Sequence, residues 1–128
     1  MNKKKILLVD DEKDLLMVVG LTIESWGYEV MKASSGKEAL QVLKDKNPDL
    51  VILDYLMPEM DGIATLQEIR KFNTKIPVIM FTAHPEGIPL KGTDNLGISA
   101  FVPKASAEVI LRTSIRMVEQ RLYGESGS

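Results

Sequence analysis

Asp10 and Asp11, Asp54, and Lys104 each stand where an apolar run stops. The runs are Ile6-Leu7-Leu8-Val9, Leu50-Val51-Ile52-Leu53 and Ala100-Phe101-Val102-Pro103. Runs rich in β-branched residues and bounded by polar ones read as buried strands of a parallel sheet. Laid side by side in one direction, they bring three carboxylates and one ammonium to a single edge, the carboxyl edge where open α/β sheets hold ligands. Converging carboxylates repel one another, so the arrangement is tolerable chiefly with a cation in the gap. A carboxylate so placed can attack phosphorus in line and become an acyl phosphate, with no base needed to deprotonate it. Magnesium suits that chemistry, because it takes one or two carboxylates together with waters and substrate oxygens. On this reading Asp54 is the nucleophile. Asp11 and Asp54 are direct metal ligands, Asp10 ligates directly or through water, and the Leu56 backbone carbonyl supplies a further oxygen. Thr82 offers a hydroxyl to a phosphate oxygen and Lys104 a point charge to the same group.

Each residue also has a plainer explanation. An aspartate at a strand-to-helix junction commonly caps the helix. Thr82 alone reads as a turn residue and Lys104 alone as a solvated charge. The coincidence of four polar landmarks with four strand ends favours one shared site over four separate accidents. Met57-Pro58 and Asp61-Gly62 read as turn-makers. Phe101, an aromatic in a strand, reads as core packing. His84, the only histidine, reads as a loop residue near the site rather than a base or a metal ligand.

Strand and helix patterns alternate along the chain, which predicts a doubly wound parallel sheet with helices on both faces. Leu15, Val18, Val19, Thr22 and Trp26 recur at helical spacing until Gly27, and 28–33 alternates like a strand. Ser35 and Glu38 have the spacing of a capping box opening a helix that ends near Asn47-Pro48. A third helix presents Leu66, Ile69 and Phe72, and 77–81 is the fourth strand. Between His84 and Gly97 stand Pro85, Gly87, Pro89 and Gly92. Proline inside a helix costs roughly 3 kcal/mol and glycine about 1, so a loop over 85–89 and at most a short helix over 90–96 are expected. Leu111, Ile115, Val118 and Leu122 then form one apolar stripe of a final helix.

The 128 residues, 45% of them hydrophobic, suffice for one well-cored domain, here 1–122, with 123–128 a disordered tail or the remnant of a linker. A net charge of −2 gives no general attraction for nucleic acid, and Lys3-Lys4-Lys5 reads as a solvated lead-in. The absence of cysteine excludes disulfides and thiolate zinc sites and suits a reducing compartment. No apolar stretch reaches membrane-spanning length and no signal-peptide core opens the chain, so a cytoplasmic place is expected.

The span 3–122 resembles the receiver domain of bacterial two-component response regulators, with a chemotaxis-regulator-like pattern. The match lies in Val9-Asp10-Asp11-Glu12, in Asp54 followed by Met57-Pro58 and Asp61-Gly62, and in Thr82-Ala83, Phe101 and Lys104. The resemblance implies a flavodoxin-like five-stranded sheet in the order 2-1-3-4-5. It implies Asp54 as phosphoacceptor, Asp10 and Asp11 on Mg2+ (with Mn2+ able to substitute), and Thr82 and Lys104 on the phosphoryl group. It implies a donor, a sensor histidine kinase or histidine phosphotransfer protein, and a downstream effector domain or protein. Such domains catalyse only their own phosphorylation and dephosphorylation. Thr82 and Phe101 take the switch positions, and Phe101 lacks the hydroxyl of the tyrosine often found there. Members of the family can dimerise on phosphorylation.

Two positions depart from the family. Pro103 precedes Lys104 and Ala105 follows it, where proline usually follows, so strain or a changed loop is expected after Lys104. The proline-rich fourth helix weighs against the usual dimer face. Among other readings, a haloacid dehalogenase-type phosphatase wants a second acid two residues after its nucleophile, where this chain has Leu56. Nucleotide and flavin sites want a phosphate-binding glycine loop that the chain lacks. A receiver-like interaction module that works without phosphorylation is the remaining alternative.

Overall fold

The computed structural model describes residues 3–87 and 94–121. Five strands, β1 (Lys5–Val9), β2 (Glu29–Ala33), β3 (Leu50–Leu53), β4 (Val78–Thr82) and β5 (Ile98–Pro103), form one parallel sheet in the order β2-β1-β3-β4-β5. This is the doubly wound, flavodoxin-like order that the family resemblance implies. β1, β3 and β4 are buried along nearly their whole length, as strands sandwiched between helices must be.

The helices are α1 (Lys13–Ser25), α2 (Gly36–Lys46), α3 (Gly62–Phe72) and α4 (Arg112–Glu119). On one side of the sheet Leu7, Val51 and Met80 pack with Leu43 of α2 and Leu66 and Ile69 of α3. On the other, Leu8, Ile52 and Phe81 pack with Leu16 and Ile23 of α1 and Ile115 and Val118 of α4. α2 opens as its sequence predicts, with Ser35 Oγ accepting from the Glu38 N–H at 3.1 Å. Only half the capping box forms, because the Glu38 carboxylate accepts from the Ser34 hydroxyl. Asp61 is more than a turn residue: its Oδ1 accepts from the Ala64 N–H at 2.8 Å and so caps α3.

Several expectations need correction. The buried stripe of α1 is Leu16, Gly20 and Ile23, with Leu15, Val19 and Trp26 at its margins, and Val18 is 57% exposed. Residues 15–21 of α1 include no polar side chain, so periodicity alone could not choose the inward face. Phe72, expected on the inner face of α3, is 45% exposed and lies under the Lys44 ammonium, 5.3 Å from its ring centre. Lys104–Ser106 is a 3-10 turn and Ala107–Leu111 is π-wound before α4 begins, so the last helix starts irregularly. Its stripe of Leu111, Ile115 and Val118 is buried as expected, whereas Leu122 lies outside the described residues. Between β4 and β5 the described residues hold only two 3-10 turns, Pro85–Gly87 and Asp94–Leu96. The expected loop and short helix fall partly on 88–93, and the expected tail on 123–128, both outside the described residues.

Candidate functional site

The ladder between strands places the acidic side chains. The Asp10 N–H donates to the Ala33 carbonyl at 3.1 Å and the Asp54 N–H to the Val9 carbonyl at 3.0 Å, so each aspartate continues its strand by one residue. Asp10 is fully buried, Asp54 is 4% exposed and Asp11 is open to solvent. One carboxylate oxygen from each of the three lies within 4.8 Å of the others. Lys104 enters from the end of β5, with Nζ 2.6 Å from Asp10 Oδ2 and 3.3 Å from Asp54 Oδ2. The sheet thus gathers all four landmarks at one edge. Asp10 is not a helix cap: Glu12 holds the cap position of α1, and Asp10 Oδ1 accepts from the Glu12 N–H at 2.9 Å.

Burial first, and then the charge on Asp10, push the Asp54 carboxyl up from 3.8 to about 6, against the pull of Lys104 and of the Leu56 N–H. For Lys104, burial disfavours the ammonium, yet Asp10 and then Asp54 outweigh it and the pKa is raised. Apart from this 2.6 Å ion pair with Lys104, the buried Asp10 Oδ2 has no partner among the described residues. A buried carboxylate oxygen without a donor is costly unless a charge serves it. Three ionised carboxylates against one ammonium also leave an excess of two negative charges. An ion of charge +2 with a preference for hard oxygen ligands fits both the donor set and that excess.

Thr82, at the last position of β4, is fully buried, and its Oγ1 accepts from the His84 N–H at 3.2 Å. His84 itself is exposed, with Nδ1 3.5 Å from Glu86 Oε1, which matches the reading of a loop residue beside the site. The Leu56 side chain is 53% exposed while its backbone faces Asp54. Phe101 is 43% exposed and is not part of the core. It pairs with Met80 and so lies on the α2–α3 face of the sheet, at the open margin of an edge strand. No cis peptide bond occurs among the described residues, so Lys104 reaches both aspartates from an ordinary trans backbone and the expected strain is absent. The residues from Lys104 to Ser106 form a 3-10 turn.

Gly62 was read as a turn-maker, and its role is closer to the chemistry. Its N–H donates to the Tyr55 carbonyl at 2.8 Å, and a Cβ at this position would run into the Asp54 carbonyl oxygen and the Tyr55 Cα. Those are backbone atoms that cannot swing aside. Gly62→Ala is therefore expected to destabilise the domain by about 1 to 3 kcal/mol, measured by urea unfolding. An unchanged unfolding midpoint would show that the loop gives way freely.

The pattern that defines the response regulator receiver domain matches residues 6–116. The chain belongs to this family. It is 40% identical over 124 residues to the probable transcriptional regulator ycf27 of Cyanophora paradoxa, an alignment that covers 92% of this chain and 51% of that protein. The chain spans about half the length of the curated relatives it matches. The response regulator TrrA of Thermotoga maritima, solved in complex with Mg(2+)-BeF, superposes with a TM-score of 0.82 at 31% identity, covering 89% of this chain and 97% of that one. TrrA has also been solved in complex with the histidine kinase ThkA, and that copy gives a TM-score of 0.80 at the same identity and coverage. The chain is a response regulator receiver domain of a two-component, phosphorelay type, with an aspartate cluster of the kind a phosphoacceptor site requires.

Proposed function

We propose that this domain accepts a phosphoryl group on Asp54 from a phosphohistidine carried by a sensor histidine kinase or a histidine phosphotransfer protein. The observation that carries the proposal is the meeting of Asp10, Asp11 and Asp54 with Lys104 at one sheet edge. In the step, an Asp54 carboxylate oxygen attacks phosphorus while the P–N bond breaks, its electron pair remaining on the imidazole nitrogen. Lys104 transfers its ammonium from the Asp54 carboxylate to a phosphoryl oxygen. Thr82 accepts from the His84 N–H, which leaves its own hydroxyl proton to donate to another phosphoryl oxygen. Asp10, Asp11, Asp54 and the Leu56 backbone carbonyl would hold Mg2+, or Mn2+ in its place, which when bound would supply positive charge to the transferring group.

The exposed Phe101 is the second half of the switch: it turns inward when Thr82 moves to the phosphoryl group and, lacking a hydroxyl, it signals by packing alone. The domain catalyses only its own phosphorylation and dephosphorylation. It acts in the cytoplasm as a receiver unit of residues 1–122, on an effector domain or protein, and not by direct contact with nucleic acid or membrane. Among the described residues no helix is long and apolar enough to cross a membrane. A dimer formed on phosphorylation is an allowed outcome, on a face other than one that needs a regular helix between β4 and β5.

Incubation with acetyl phosphate and magnesium, followed by intact mass, tests the proposal. The domain gains one phosphoryl group, chelation of the metal prevents the gain, and Asp54→Asn abolishes it. A chain that gains none is a phosphorylation-independent interaction module, and one that turns over assorted phosphomonoesters is a hydrolase.

A further inference from the structure

The Arg70 guanidinium, in the last turn of α3, is turned entirely onto backbone. Nε donates to the Leu96 carbonyl at 2.7 Å and one terminal nitrogen to the Gly97 carbonyl at 3.2 Å. The other terminal nitrogen donates to the carbonyls of Ile76 at 2.8 Å and Asn73 at 3.2 Å. One side chain thus ties together the lead-ins of β4 and β5. A planar fork of five donors can hold several carbonyls at fixed angles, which a lysine ammonium cannot do. Gly97, one of its partners, has φ 69°, a conformation strained for any residue with a Cβ.

Immediately beyond this clamp β5 carries an extra residue. Val78 pairs with Ile98 and Ile79 with Ala100, so Ser99 has no partner across the ladder. Bulges are uncommon in parallel pairs, and they re-aim the side chains that follow. Past the bulge Thr82 pairs with Pro103, and Lys104 is the next residue. A strand keeping the Val78–Ile98 pair without the bulge would set Val102 opposite Thr82 and carry Lys104 one residue, about 3.3 Å, further beyond the edge. It would also move Val102 out of its core and turn Phe101 to the opposite face, because a one-residue slip inverts every side chain.

We propose that Arg70 is a positioning residue for the phosphoryl chemistry: its clamp on Leu96 and Gly97 holds β5 in the bulged register that delivers Lys104 to Asp10 and Asp54. The proposal rests on the reading of Asp54 as phosphoacceptor. Arg70 acts from the opposite end of β5 and bonds to none of the site residues. The three aspartates sit on β1 and β3, which Arg70 does not hold, so metal binding and phosphoryl transfer should respond differently to its loss.

Arg70→Met is made in the wild-type chain and in Lys104→Met. Magnesium affinity is measured by calorimetry, and the rate of adduct formation from acetyl phosphate is measured at saturating magnesium. Arg70→Met is expected to slow the reaction by about tenfold to a hundredfold, the scale of an ångström-size misplacement, with magnesium bound at least as tightly as by the wild type, since a displaced Lys104 no longer competes for the same carboxylates. In the Lys104→Met background it should add no further slowing, since its effect runs through Lys104. If Arg70→Met fails to fold, Arg70→Gln takes its place in every comparison. A wild-type rate in the folded variant, or the same slowing when Lys104 is already gone, overturns the positioning role while leaving Asp54 as acceptor. A wild-type chain that forms no adduct at all overturns both.

Discussion

Lys104→Met is expected to lower the stability of the magnesium-free domain by about 3 kcal/mol near neutral pH, with magnesium returning most of the loss. Removing one partner of a buried ion pair typically costs about 3 to 5 kcal/mol, because the other charge is left uncompensated. Here two carboxylates depend on the one ammonium, and among the described residues Asp10 Oδ2 has no other partner to fall back on. The loss is smaller at low pH. Asp54 already titrates near pH 6, and without Lys104 its pKa climbs further, so it sheds its charge by taking up a proton. Stability of the variant relative to wild type should therefore fall as pH rises from about 6 to 8. Magnesium should stabilise the variant more than the wild type, because the ion and the ammonium serve the same carboxylates. Denaturant unfolding with and without metal reads both effects. Greater stabilisation of the wild type by magnesium would show that Lys104 is not the internal counter-ion of the metal-free site.

Asp54→Asn should move stability the other way. The folded-state pKa of Asp54, about 6, lies above its ordinary 3.8, so between those values the folded chain binds more protons than the unfolded one. Stability contributed by the protonated carboxyl is fully present below about pH 4 and is lost as pH rises through about 6. A separation of roughly two units corresponds to about 2 to 3 kcal/mol. In the presence of chelator, Asp54→Asn is thus expected to match the wild type at pH 4 and to exceed it by up to that amount at pH 7. The same substitution should remove most of the stabilisation by magnesium. A variant no more stable than wild type at pH 7 would mean that the Asp54 charge is already well served by Lys104.

The chemistry of the edge was legible because parallel strands buried on both faces read as short, continuous apolar runs, and each run ends on the residue that matters. Sheet order followed from the resemblance, whereas the register that sets Asp10 beside Asp54 came with the structure. Burial on single helix faces was harder to read. In α1 the stretch 15–21 has no polar residue, so Val18 looked as eligible for the core as Leu16. Phe101 was misread because its apolarity says nothing of its place on an edge strand. Arg70 left no signal at all: its partners are backbone carbonyls, which no residue type announces. The unpaired Ser99 is equally silent, since a bulge changes pairing without changing composition.

If Asp54 is the acceptor, its carboxylate becomes an acyl phosphate. Borohydride reduces an acyl phosphate to the alcohol, so treatment after incubation with acetyl phosphate and magnesium should leave homoserine at position 54, read by peptide mass spectrometry. Homoserine at 54 and at no other acidic residue is the predicted result. Reduction at Asp10, Asp11 or elsewhere, or a phosphorylated chain in which position 54 stays aspartate, would contradict it.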